Sequence, residues 1–110
     1  MHYAEFPHNV AFLVEGKKTP DGGGGWLPGE WETYGESIGF LDTPKSEVIY
    51  RAQQANHPFD RQLYFPYRTD ITTKMRVVCE GDTYELVGKP LDQGGQSEIM
   101  RVDLRLLADG

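Results

Sequence analysis

Hydrophobic and polar positions alternate most cleanly near the C-terminus, where Met100, Val102, Leu104 and Leu106 take turns with Arg101, Asp103 and Arg105. A period of two predicts a half-buried β-strand with its apolar side chains inward. Leu63, Phe65 and Tyr67 alternate with Gln62, Tyr64 and Pro66 in the same way, and Pro66 marks an edge strand or a bulge. Residues 75–79 and 83–87 flank a compact turn around Gly81 and Asp82, the pattern of a hairpin. Gly81 at the first central position suits a type II′ turn. Residues 10–14 form a short apolar run with Val10, Phe12 and Val14 on one face. Between Glu30 and Phe40, Tyr34, Ile38 and Phe40 share a parity with Glu30, Glu32 and Glu36, so a half-buried strand with a wet first part is expected.

The pattern changes period once. Thr43 before Pro44 reads as a helix N-cap and first helical residue, with Glu47 favourable to the dipole in the first turn. Val48, Ala52 and Ala55 then recur at helical spacing beside Ile49, and Pro58 ends the run by disfavouring helical geometry at His57. A helix of this length is marginal without packing, and Val48, Ile49 and Tyr50 are good strand formers. The segment therefore fits either a permanently docked helix or an element that changes structure on assembly. Between the first two strands lies Thr19-Pro20-Asp21 and then Gly22 to Gly25, which predicts a long mobile loop. About six strands and one short inserted helix amount to a mainly β fold, a small barrel or sandwich, and 110 residues suit one domain spanning 1–110.

Composition sharpens this picture in two respects. Thirteen glycines with 12% aromatic residues favour a turn-rich β fold over a helical bundle. Net charge is −6, and residues 1–43 carry seven acids against Lys17 and Lys18, whereas residues 44–110 are nearly balanced. No Lys/Arg cluster is present to release counterions from a phosphate backbone. Aromatic Tyr64, Phe65 and Tyr67 resemble a stacking platform, so a small nucleic-acid-binding β-barrel is the competing class. No apolar stretch approaches the roughly 20 residues that a membrane helix needs, and Met1 to Phe6 lacks the features of a signal peptide.

Catalytic and metal chemistry find no foothold. His2, His8 and His57 have no second ligand at metal spacing. Gly22–25 is followed by Trp26-Leu27-Pro28 and not by the Lys-Ser/Thr of a phosphate loop. Ser37, Ser46 and Ser97 sit in no nucleophile elbow, and Cys79 beside Glu80 shares the parity of Met75 and Val77, as expected of a buried filler. Glu30, Glu32 and Glu36 read as a solvated face and not as an acid–base pair. No enzyme, cofactor or metal site is expected.

The residues from Ile49 to Leu106 carry a resemblance. Tyr50-Arg51-Ala52-Gln53-Gln54, Tyr64-Phe65-Pro66-Tyr67-Arg68, residues 71–78, the Gly81 turn, Tyr84 to Val87 and the final Glu98-Ile99-x-Arg101 strand follow each other as in the head–tail joining proteins of long-tailed phages. Within that group the chain resembles the head-completion, or stopper, proteins of siphophages, and the Gly-rich loop before Trp31 fits their N-terminal pattern.

The resemblance implies a structural protein of the virion neck, made in the host cytoplasm. It implies a ring of copies of the chain, dodecameric, under a portal-bound adaptor, closing the channel and offering a surface to a tail-completion or tail terminator protein. Packaged DNA would lie nearby without specific binding, and no membrane is involved. The closing element is implied between the second strand and the aromatic strand, here Asp42, Thr43, Pro44, Lys45, Ser46, Glu47, Val48, Ile49 and Tyr50. Another neck role, such as tail completion, is the near alternative. Carboxylates along a channel wall would repel DNA instead of braking it, although ordinary solubility explains the same net charge.

Overall fold

The computed structural model describes residues 6–43, 46–54 and 58–107. Among them are β1 (His8–Glu15), β2 (Thr19–Pro20), β3 (Trp26–Leu27), β4 (Trp31–Asp42), α1 (Ser46–Gln54), β5 (Arg61–Pro66), β6 (Arg76–Cys79), β7 (Asp82–Gln93) and β8 (Ile99–Leu106). Six of these strands close an antiparallel barrel in the order β1-β4-β5-β8-β7-β6, with β6 returning to β1. The barrel form thus holds over the sandwich. Closure leaves the six strands no exposed sheet edge along their paired lengths.

The interior is filled by the residues that strand periodicity selects. Val10 and Phe12 from β1, Leu63 and Phe65 from β5, Val77 and Cys79 from β6, Tyr84 and Leu86 from β7, and Met100, Val102 and Leu104 from β8 share one cluster. Phe12 and Phe65 meet edge to face, with ring centroids 5.4 Å apart. β8 follows its alternation up to Leu104, but Leu106 is 47% exposed because the strand has passed the barrel rim there. Tyr67 is likewise exposed, since β5 ends at Pro66. Tyr67 donates to the Glu98 carbonyl, so the Pro66 nitrogen faces β4 beyond the last β4–β5 pair, where no donor is needed.

Three local expectations are corrected. On β4, the inward positions are Gly35, Ser37, Gly39 and Leu41, and Tyr34 and Phe40 face solvent. The reason is crowding: a Cβ on Gly39 would lie 2.9 Å from both the Tyr64 carbonyl oxygen and the Val10 side chain. At the β6–β7 turn, Cys79 pairs with Asp82, which makes Glu80 and Gly81 the central residues. Both have positive φ, +53° and +82°, so the turn is type I′ with glycine second. The glycine-rich segment, expected as a loop without regular structure, forms the turn of a short hairpin. β2 pairs with β3, and the Asp21 carboxylate accepts the amides of Gly23 and Gly25 at 2.7 and 3.0 Å.

One further device fixes the barrel end nearest that hairpin. The β1–β4 register slips between Phe12 and Leu13, leaving Tyr34 as the extra residue. Such a bulge re-aims a side chain, and the Tyr34 hydroxyl donates to Asp70 at 2.9 Å. Arg68 grips the same carboxylate with two bonds of 2.7 Å while its guanidinium lies 5.3 Å from the centre of the Phe12 ring. The Arg68 fork, more than the Tyr34 bond, holds the Asp70 carboxyl well below the usual carboxylate range. A group with a depressed folded pKa stabilises fully above its unfolded pKa and loses that contribution as pH falls through the folded value. The cluster is solvent-accessible, so Asp70→Asn is expected to cost no more than about 1 kcal/mol in urea at neutral pH. That gap should persist down to the ordinary carboxylate range and shrink only in stronger acid; a gap that closes near neutrality would contradict the pairing.

Candidate functional site

The connection between β4 and β5 is where the chain departs furthest from what its own pairing requires. Leu41 pairs with Leu63 and Asp42 with Gln62, so two antiparallel neighbours are joined by the whole of residues 43–61. A two-residue turn would have sufficed. Both roots of this excursion are fastened to the barrel. On the outgoing side the Leu41 amide donates to His8 Nδ1 at 3.0 Å, and Phe40 stacks between His8 and Tyr64. On the returning side Phe59 is buried, the Asp60 amide bonds the Leu104 carbonyl at 2.8 Å, and the Asp60 carboxylate accepts the Leu106 amide at 2.8 Å.

Between the roots the chain carries α1, whose ends are electrostatically sound: Glu47 lies in its first turn and Arg51 in its last. Its packing is another matter. Among the described side chains of α1 none is buried; Val48 and Ile49 are half-buried and Tyr50 is 62% exposed. A helix of nine residues, none of whose described side chains is buried, lies below the length at which helices are stable alone. Of the residues expected to form the closing element, Asp42 ends β4, Thr43 is exposed, and Ser46, Glu47, Val48, Ile49 and Tyr50 form the first half of α1. Pro44 and Lys45, with residues 55–57 at the expected helix end and the side chain of Ala52, lie outside the described residues. Drawn out as a hairpin, residues 43–61 would reach about 30 Å from the rim. What sequence reasoning did not find was the pair of roots, because pairing of Asp42 with Gln62 is a long-range contact.

Elsewhere the surface offers little chemistry. Among the described residues no group of three His, Cys, Asp or Glu side chains converges on a possible metal position. Cys79 is buried, and that burial, reinforced by Glu80, pushes its thiol up to about 11. Several basic side chains are already engaged: Arg68 by Asp70, Arg105 by Glu85, and Arg76 over the Trp31 ring at 4.0 Å. Those three cations are thereby less available to a phosphate backbone. Among the described residues no helix is long and apolar enough to cross a membrane.

The described residues form a closed barrel that bears one long excursion rooted between β4 and β5. Comparison with known proteins gives that architecture a family. Residues 1–105 match the family model of the phage head completion protein. The chain is 30% identical over 100 residues to the head completion protein gp16 of Bacillus phage SPP1, covering 91% of this chain and 90% of that protein. The solution structure of protein SF1141 from Shigella flexneri 2a superposes with a TM-score of 0.77 over the whole of both chains, at 17% identity, which shows a shared fold alone. The chain belongs to the phage head completion protein family, a family of structural virion components and not of enzymes.

Proposed function

We propose that this chain seals the exit channel of the filled phage head and presents the surface to which the tail attaches. Copies of it form a ring under the portal-bound adaptor, and the segment from Asp42 to Tyr50 of each copy supplies one element of the closure. Family membership supports the head-completion role, and the β4–β5 excursion carries the sealing step. Its roots are locked to the barrel at Leu41, Phe59 and Asp60, while no described side chain of α1 is buried. Moving the excursion therefore costs the barrel little, and Val48, Ile49 and Tyr50 accept strand geometry as readily as helix. Packaged DNA lies nearby without being gripped, in keeping with a net charge of −6.

The direct test is a phage that lacks this chain. Its heads are expected to package DNA, to lose it to added nuclease, and to remain without tails until the chain is supplied. Filled, protected and tailed heads in its absence would end this reading.

A further inference from the structure

The outgoing root of the β4–β5 excursion is tied by a side chain in place of a strand. The β1–β4 ladder ends with His8 opposite Gly39. Two residues further along β4, Leu41 is buried, and its amide points to the side where β1 has already run out. A buried amide without an acceptor is costly. Here the acceptor is the His8 ring, whose Nδ1 lies 3.0 Å from the Leu41 nitrogen. Phe40 steadies that ring, with centroids 6.1 Å apart and planes 18° from parallel, and stacks in turn on Tyr64.

The two roots differ in what a proton can do to them. At the returning root the Asp60 amide binds the Leu104 carbonyl at 2.8 Å, a backbone pair that no titration removes. At the outgoing root the acceptor is an imidazole nitrogen, which accepts only while it carries no hydrogen. The neutral ring that makes this bond therefore has its hydrogen on Nε2. Protonation places a second hydrogen on Nδ1, so that two N–H groups confront each other and the Leu41 amide loses its partner. Histidine is the side chain that ordinarily changes charge between about pH 5 and 8. The titratable groups on the elements packed around the ring are Asp42 at the end of β4, the Tyr64 phenol behind Phe40 on β5, and Glu80 just past β6, which stops opposite Val10. None of these three is bonded to the ring, and the Leu41 amide is its one hydrogen-bond partner among the described residues.

We propose that His8 is a proton-operated clasp on the closing excursion: the neutral ring fastens the β4 root, and protonation of the ring frees it. Release is one-sided, because Phe59 and Asp60 keep the returning root on the barrel. Protonated histidines bias two-state elements in this way elsewhere. This inference rests on the proposed closure and adds what regulates it.

Two substitutions separate the bond from the ring. His8→Asn keeps an acceptor near the place of Nδ1 on a side chain that takes up no proton. His8→Phe keeps a ring against Phe40 and offers no acceptor. Hydrogen exchange at the Leu41 amide of the free, full-length chain reads the bond, taken as protection relative to an unstructured peptide at the same pH. In the parent chain this protection is expected to fall at least about tenfold between about pH 8 and about pH 5. Its midpoint should coincide with that of His8 protonation, followed by the nitrogen shifts of the ring. His8→Asn should keep the protection at both ends of the range, and His8→Phe should lack it at both. Nitrogen shifts that place the hydrogen of neutral His8 on Nδ1 would overturn the clasp. So would Leu41 protection that ignores the protonation of the ring, or that survives in His8→Phe. In completed heads at about pH 8, His8→Phe should expose DNA to nuclease sooner than His8→Asn. Equal exposure from the two, with exchange behaving as expected, would count against closure by this segment and leave the clasp in place.

Discussion

Leu104→Ala should remove about 2–5 kcal/mol of stability. Leu104 is fully buried at the centre of β8, opposite Arg61 on β5 and Leu86 on β7. Truncation there loses the transfer energy of the side chain and leaves a cavity that a closed barrel is poorly able to collapse, because its walls are tied to each other all round. For a domain of this size that is a large part of the roughly 5–15 kcal/mol available. Two neighbours on the same strand serve as controls. Arg105→Ala should cost under about 1 kcal/mol, since its bond to Glu85 is a surface pair. Leu106→Ala should also be mild, because that side chain is 47% exposed. Urea denaturation measures all three, and equal losses at positions 104 and 105 would contradict the inward placement of Leu104.

These controls mark how far periodicity could be read. Alternation located β8 and the inward face of β5 because their buried positions are the apolar ones. On β4 the same rule pointed to the wrong face. Val10, Leu63 and Tyr64 crowd the barrel wall at Gly39, the inward places before Leu41 fall to glycine and serine, and the larger Tyr34, Ile38 and Phe40 turn outward. Hydrophobicity alone cannot distinguish a strand that fills a core from one that makes room for it. The hairpin type was missed because Glu80, a residue that seldom takes positive φ, does so here. The hairpin within the glycine segment turns on a single carboxylate, Asp21, which accepts the amides of two glycines. The existence of the helix was legible from its apolar spacing, and α1 spans Ser46–Gln54. The expected first helical residue Pro44 and the expected end at residues 55–57 lie outside the described residues. The use of the helix was not legible, since that depends on Asp42 and Gln62 being neighbours. Family resemblance across weak motifs, and no catalytic pattern, pointed to the function.

Replacing residues 43–50 by a short Gly/Ser linker should leave the barrel folded and the head unsealed. The barrel should survive because no described side chain of α1 is buried and because Leu41, Phe59 and Asp60 hold the roots without it. Closure by a ring is collective: each copy contributes one short element, and neighbouring elements can pair backbone to backbone only near the axis. Glu47→Ala, which removes one exposed side chain, should therefore be tolerated. Proline at Val48 or Ile49 should be severe, since it deletes a backbone donor from helix and strand alike. Unfolding of the linker variant at the same urea concentration as the parent chain establishes that the barrel is intact, and its recovery with filled heads establishes docking. The deciding measurement is nuclease protection of the packaged DNA in those heads. If the segment from Asp42 to Tyr50 closes the channel, heads completed with the linker variant lose their DNA while those with the parent chain keep it. Full protection by the linker variant would contradict gating by this segment and leave the chain with a joining role alone.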